Sequence, residues 1–292
     1  MSSTPSIHVP VLLDEILHWL NPCPGQTIVD GTLGGGGHTR ALVERVSPGG
    51  RVISLDRDPE VIAAAAAWQN SSITAVQANF RDLPEVLDEL EIESVDSILL
   101  DLGLSSDQLA DRERGFSFSA DGPLDMRFDP MKGKPAWRLI ERLSAEHLAD
   151  MIYLFGEERY SRRIARAIVE RRHDRPIQTA AELAELVRSV VPRSRRDHID
   201  PATRTFQALR IYVNEELKSL EIALRRLPDR LKPGGRLAII SFHSLEDRPV
   251  KEAFRDDVRL EALVKKPIIA GDDEAQRNPR ARSAKLRIAA RR

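Results

Sequence analysis

A single cysteine, Cys23, stands among the 292 residues of the chain. No intramolecular disulfide can form and the paired cysteines of a zinc site are missing, which fits a reducing compartment. Histidine pairs and carboxylate clusters at ligand spacing are missing as well, so no metal is expected. Long apolar runs are scarce. The longest, Val61 to Trp68, falls far short of the ~18 residues of a membrane span. The opening Met-Ser-Ser-Thr-Pro-Ser-Ile-His-Val-Pro-Val-Leu-Leu has neither the basic start nor the apolar length of a secretory leader. A cytoplasmic location without membrane association is expected.

Net charge is nearly absent at −1, which excludes a uniformly basic nucleic-acid binder. The average hides three blocks. Asp82 to Asp111 holds ten acidic residues and no Lys or Arg, whereas Arg277 to Arg292 holds seven basic residues and no acid. Arg159 to Arg175 carries seven arginines against Glu170 and Asp174. Guanidinium groups grip phosphate in a fixed fork and stack on bases, so an arginine-only segment suits RNA. A solvated helix face laced by ion pairs about one turn apart, such as Glu157 or Glu158 with Arg162, accounts for that block more simply.

What is present is an ordinary globular mix, 41% hydrophobic and 30% charged, long enough for one large domain or two moderate ones. Thr27–Asp30, Arg51–Asp56, Ile73–Gln77 and Val95–Asp101 read as strands, with helices at Thr39–Val46, Pro59–Gln69 and Leu83–Leu90 between them. This alternation predicts an α/β fold, a parallel sheet with helices on both faces. Ligands of such sheets sit at the strands' carboxyl ends, and three strands end in Asp30, Asp56 and Asp101. From 105 to 211 helical stretches run without a strand. Alternation resumes with a helix from Glu215 to Leu231, the strand Arg236–Ser241, and late strands near Val264–Ile269 and Ala284–Ala289. Residues 1–104 and 212–292 are therefore expected to form one discontinuous sheet domain, interrupted by an inserted helical domain at 105–211.

The turn Ile28-Val-Asp-Gly-Thr-Leu-Gly-Gly-Gly-Gly-His38 sets glycines between a strand and a helix, where backbone amides can approach a nucleotide-like cofactor. The dinucleotide fingerprint is left incomplete, because Thr39 stands where the third glycine belongs. No Lys-Ser/Thr follows to hold a triphosphate, so a cofactor without phosphates fits better. Asp56 ends the second strand, where a carboxylate accepts from both hydroxyls of an adenosine ribose; capping the helix from Pro59 is its other reading. Phe80 suits either an adenine face or the core. Asp101-Leu-Gly-Leu-Ser-Ser follows the fourth strand at the expected reaction centre.

Several long motifs occur in one order: His8-x-Pro-Val-Leu-Leu-Asp-Glu, Asp30-Gly-Thr-x-Gly-x-Gly-Gly-His, Asp101-Leu-Gly-x-Ser-Ser, Arg114-Gly-Phe-Ser-Phe and Asp121-Gly-Pro-Leu-Asp-Met-Arg. Gly156-Glu-Glu-Arg, Pro201-Ala-Thr-Arg-Thr-Phe-Gln-Ala, Ser241-Phe-His-Ser-Leu-Glu-Asp and Asn278-Pro-Arg-Ala-Arg-Ser follow. Together they resemble the bacterial MraW/RsmH methyltransferases from residue 8 to the C-terminus. The resemblance implies a Rossmann-like methyltransferase sheet interrupted by a helical substrate-recognition domain. It implies S-adenosylmethionine as donor and N4-methylation of a cytidine in the decoding centre of small-subunit (16S) ribosomal RNA. Matching motifs would set Gly36, Gly37 and His38 against the cofactor, Asp56 on its ribose, and Phe80, Asp101 and Gln108 around the rest. The loop between Asp256 and Asn278 is shorter than in some relatives.

A cytosine amine is a weak nucleophile that must be aligned and relieved of a proton. Asp101, then Ser241 and His243, are the candidate acceptors. Phe116, Phe118 and Phe242 are candidate stacking rings for an extruded base, or core. Arg159, Arg162, Arg163, Arg166, Arg280 and Arg282 would hold RNA phosphates. The expected partner is 16S rRNA in the small subunit, not DNA, with monomer and homodimer both open. Three rivals stand beside this reading: a dinucleotide oxidoreductase, a non-catalytic RNA-binding assembly protein, and a methyltransferase for a small molecule or protein.

Overall fold

The computed structural model describes residues 9–118, 121–192 and 200–292; His8, at the head of the first motif, lies outside them. Two compact units divide the chain, Met1–Ser106 with Leu217–Arg292, and Asp107–Glu216.

The first unit carries a seven-stranded sheet: β1 Thr27–Asp30, β2 Arg51–Asp56, β3 Ile73–Gln77, β4 Val95–Asp101, β5 Leu231–Ser241, β6 Leu260–Ala262 and β7 Lys285–Arg291. Its order is β3-β2-β1-β4-β5-β7-β6. The first five pair in parallel, but β7 runs antiparallel to both β5 and β6. The sheet is therefore mixed, where the alternation of strands and helices predicts a parallel one. The late strand expected at Val264–Ile269 is also displaced. Of that run Ile268 makes a single bridge to Leu286 and Val264 packs against the core, and the edge strand is Leu260–Ala262.

The period of two along each strand sorts side chains onto two faces. Val29, Ile53, Leu55, Ile98, Leu100, Leu237 and Ile239 share one apolar cluster with Leu83, Val86, Leu220, Leu224, Val250 and Phe254, from the helices Leu83–Glu89, Glu216–Arg226 and Ser244–Asp256. Ile28, Val52, Leu99, Ala238 and Ile240 join Ile16, Leu20, Leu42, Val43 and Val46 on the other, under the helices Leu13–Leu20 and Gly37–Val46. Helices thus cover both faces, and burial of these side chains is what holds the strand ends in place. The helix expected at Glu215–Leu231 stops at Arg226, and Leu227–Arg230 tightens into a 3₁₀ turn around Pro228.

The second unit is helical, with Ala136–Arg142, Ala145–Gly156, Ser161–Asp174, Ala180–Val190 and Thr203–Asn214 as its main elements. Its irregular segment after Arg114 is tied down by polar groups. Asn214, 1% exposed, accepts from Phe128 N at 2.8 Å and donates to Met126 O at 2.7 Å. Buried Arg114 donates to the carbonyls of Arg127 and Phe128. Asn214→Leu strands one amide and one carbonyl without water, each costing ~1–3 kcal/mol. Thermal melting is therefore expected to fall by several degrees, at roughly 2–4 °C per kcal/mol; an unchanged midpoint would contradict this assignment.

Candidate functional site

The glycine turn crosses the carboxyl ends of β1, β2 and β4. Gly31 N donates to Leu99 O and Leu33 N to Leu55 O, both at 2.8 Å. A side chain at Gly31 would strike Leu100, so the turn can lie this close to β4 only as glycine. Gly34 and Gly36 take left-handed φ of 48° and 75°, which favours glycine. The space beside Gly36 and Gly37 is filled by the chain itself: a Cβ on Gly36 would run into the Trp68 indole, and one on Gly37 would lie 2.9 Å from Pro10 Cδ. Close packing of Trp68 and Pro10 thus requires these glycines. Trp68 is in turn covered by the Arg40 guanidinium, 4.1 Å from its ring.

Buried Asp30 anchors the turn from below. Its Oδ2 accepts from Thr39 Oγ1 at 2.7 Å; because that proton is committed, Ser54 Oγ, 2.8 Å away, donates to Thr39. Thr32 Oγ1 accepts from Asp101 N at 2.7 Å. Asp56 Oδ2 accepts from Gly34 N at 2.9 Å and Oδ1 from Asp58 N at 3.0 Å. The helix Pro59–Ala66 is capped by Asp58, whose side chain accepts from Glu60 N, leaving Asp56 to the glycine turn.

Burial pushes the Asp56 carboxyl up to about 6, against the amides of Asp58 and Gly34 that pull it down and with the carboxylates of Asp58 and Asp30 that add to the rise. An ionised Asp56 is the better acceptor for hydroxyl donors. Cofactor affinity is therefore expected to weaken as pH falls through about 6, and Asp56→Asn to flatten that dependence. The free protein responds in the opposite sense: a raised carboxyl binds its proton more tightly when folded, so its contribution to stability is present at low pH and fades as pH rises through about 6. Calorimetric titration between about pH 5 and 8 checks the first statement; an affinity flat across that range refutes it.

Asp101, at the end of β4, is the centre of a buried polar crevice. Its Oδ1 has no hydrogen-bond partner among the described residues, and its Oδ2 lies 3.9 Å from His38 Nδ1. His38 Nε2 sits 3.0 Å from Val11 O; a carbonyl only accepts, so Nε2 carries the proton and Nδ1 faces Asp101. Burial raises the Asp101 carboxyl, His38 and Arg280 pull it down, and Asp30 and Glu246 add to the rise. Beyond the end of β5, His243 caps the helix Ser244–Asp256. Its Nε2 is 3.2 Å from Glu246 Oε1 without hydrogen-bond geometry, and both ring nitrogens are buried without a hydrogen bond to any of the described residues. Ser241 Oγ is turned to Lys285 O at 3.4 Å, toward β7.

Two groups of this crevice escape the sequence reading. Glu246, 2% exposed, accepts from Phe242 N at 2.9 Å; its place three residues after His243 is the spacing of a capping box, a signal legible in principle. Arg280, read as part of a phosphate-holding tail, is turned inward. It donates to Leu104 O, lies 3.5 Å from Ser106 Oγ and stands 5.5 Å from the Phe242 ring centre.

Phe80 opens the 3₁₀ turn Phe80–Asp82, packs partly into the core, and has its Cβ 3.2 Å from the position a Gly31 Cβ would take. Gln108 is buried in the short helix Ser106–Ala110; its part in the pocket rests on the resemblance alone. Phe116 is buried against Phe128, and Phe118 meets Phe206 edge to face. Arg159, Arg162, Arg163, Arg166 and Arg282 are exposed. Arg159 lies over Tyr160 and Arg282 donates to Ala275 O. The pair between Glu158 and Arg162 is not made, since Glu158 is buried and its Oε1 accepts from Tyr160 N at 2.8 Å. Among the described residues no group of three His, Cys, Asp or Glu could hold a metal ion, and no helix is long and apolar enough to cross a membrane.

Residues 5–292 match the profile described as the MraW methylase family. A protein named ribosomal RNA small subunit methyltransferase H from Rhodopirellula baltica is 51% identical over 302 residues, covering 99% of this chain and 93% of its own. Proteins of the same name from Acidobacterium capsulatum and Trichlorobacter lovleyi are 48% and 47% identical, each alignment covering 97% of both chains. With the family profile spanning nearly every residue and relatives near half identity along their whole lengths, the chain belongs to the MraW methylase family.

Proposed function

We propose that the protein transfers a methyl group from S-adenosylmethionine to the exocyclic N4 of a cytidine in the decoding centre of 16S ribosomal RNA. One observation carries the reading: a buried acid, Asp101, presents an unpartnered Oδ1 at the strand ends directly beside the glycine turn. S-adenosylmethionine fits the residues present. Asp56, held by two amides, has lone pairs left for ribose hydroxyls, and Phe80 lies beside Gly31 as an adenine neighbour. No lysine or arginine in the turn seeks a phosphate, and a cofactor without phosphates has none to offer. When bound, this cofactor supplies an electrophilic methyl on a sulfonium centre.

The chain's own work is alignment and proton management. Asp101 Oδ1 accepts from the amino group, which localises the nitrogen lone pair for attack and receives a proton as the new carbon–nitrogen bond forms. His38 Nδ1 lies 3.9 Å from the opposite oxygen, near it but without a hydrogen bond to it. His243, with Glu246 behind it, offers a second acceptor for the remaining amino hydrogen. Ser241, whose hydroxyl faces β7, is the weakest of the three. Exposed Arg159, Arg162, Arg163, Arg166 and Arg282 hold phosphates, with the helical unit as the substrate-recognition part; Arg280 shapes the crevice wall. A cytoplasmic location accompanies a ribosomal substrate.

Incubating the protein with methyl-labelled S-adenosylmethionine and either unmethylated small ribosomal subunits or naked 16S rRNA tests this. Label entering RNA from either substrate is expected; cofactor binding without transfer to either would favour a non-catalytic assembly protein.

A further inference from the structure

The helical unit contains a pocket of about 320 Å³ lined by Trp137, Ile140, Glu141, Arg172, His173, Pro176, Ile177 and Gln178. Its floor is apolar, since Ile140 and Ile177 are 2% and 4% exposed. One wall is the Trp137 indole, with the Arg138 guanidinium 4.1 Å from its ring centre. Arg172 is fixed at the rim because its Nη1 donates to Ile140 O at 2.6 Å and Leu143 O at 2.7 Å, the carbonyls closing the helix Ala136–Arg142. His173 and Gln178 are exposed and bring an imidazole and an amide to the same opening.

An aromatic wall, an apolar floor and a few convergent hydrogen-bonding groups describe a site for a small planar polar ligand. The volume sits at the low end of ligand pockets, which run about 300–1,000 Å³, enough for one ring system. Charge selects among such ligands. Arg162, Arg163 and Arg166 lie on the helix Ser161–Asp174 that ends at the pocket. All three are exposed with no carboxylate at ion-pair distance among the described residues. At about 100° per residue, Arg162, Arg166 and His173 fall within roughly 40° of one another around that helix, so one row leads from the arginines to the pocket mouth. The row suits phosphates. Glu141 at the rim accepts from Arg138 Nη1 through Oε2 at 3.3 Å, which leaves its other oxygen to accept from the amino or imino hydrogens of a base.

We propose that this pocket takes one unpaired base of the RNA substrate, stacked against Trp137 and hydrogen-bonded at its edge by Glu141 and Gln178, while the arginine row holds the adjoining backbone. The inference rests on the reading of the chain as an rRNA methyltransferase and deepens it: besides the target cytidine, the enzyme grips a second, splayed-out nucleotide. Sequence-tolerant stacking anchors of this kind are the usual means of holding single-stranded RNA.

The test uses the full-length protein and unmethylated small ribosomal subunits. Loss of one stacked base is expected to raise KM for subunits roughly tenfold in Trp137→Ala, with Trp137→Phe close to wild type and kcat and the KM for S-adenosylmethionine little changed. In parallel, subunits carrying 4-thiouridine are photo-crosslinked to the wild-type protein, and the attached peptides are mapped. Attachment within 137–141 or 172–178 supports the pocket. Crosslinks only elsewhere, or an unaltered KM in a folded Trp137→Ala, overturn it while methylation by the wild type leaves the broader reading intact. If the wild type methylates no subunits, the broader reading falls and this one with it.

Discussion

Asp101→Asn is expected to lower kcat by about 10²-fold or more, with a much smaller effect on cofactor affinity. The amide keeps the shape of the carboxylate and one acceptor oxygen but cannot take up a proton, and a positioned proton acceptor is worth ~10²–10⁴ in rate. The pH profile separates this from a structural defect. As a proton acceptor Asp101 would have to be ionised, and burial raises its carboxyl above the usual range against the pull of His38 and Arg280. Wild-type kcat should therefore rise with pH along a limb displaced upward from an ordinary carboxylate, and Asp101→Asn should lose that limb. A variant that keeps kcat within a few-fold and retains the limb would remove Asp101 from the proton path and turn attention to His243. His243→Ala is the matched comparison, since its ring nitrogens are likewise buried without a hydrogen bond.

The second large effect is electrostatic. Replacing Arg162, Arg163 and Arg166 together with alanine is expected to weaken RNA binding by roughly tenfold or more at low salt and to reduce the slope of log affinity against log salt by about 2, since each lost single-strand phosphate contact removes about 0.7. These side chains are exposed on a packed helix, so stability should hold within about 0.5 kcal/mol. Filter binding across a salt series reads both quantities. Unchanged affinity and slope would show that this arginine block is a solvated helix face, the simpler reading that its sequence also permits.

The strands β1 to β4 are legible because each is a short β-branched or apolar run ending at an aspartate or a turn, with helical spacing between. Strand direction has no local signature. Nothing in Lys285–Arg291 marks it as antiparallel, and Val264-Lys-Lys-Pro-Ile-Ile outcompetes Leu260-Glu-Ala as an apparent strand although Pro267 cannot donate to a ladder. Within the site, Asp56 and Asp101 are legible because a carboxylate at a strand's carboxyl end has a place dictated by topology. Arg280 is not. In the sequence it is one arginine among the seven basic residues from Arg277 to Arg292, and only the packing of the turn Pro279–Ser283 aims it at Leu104. Trp68 was hidden for a similar reason: the glycines it requires read as room for a ligand until the fold brings the indole against Gly36. Glu158 illustrates the converse. Its spacing to Arg162 suggests an ion pair, but burial and the Tyr160 amide claim its carboxylate first.

The central claim is that this crevice delivers a methyl group to the exocyclic nitrogen of cytidine in small-subunit rRNA, and nucleoside mass spectrometry of RNA digested after reaction with labelled donor tests it most directly. Label is expected in N4-methylcytidine and is lost in Asp101→Asn. Label confined to another nucleoside, to a ring carbon or to a ribose oxygen would contradict it.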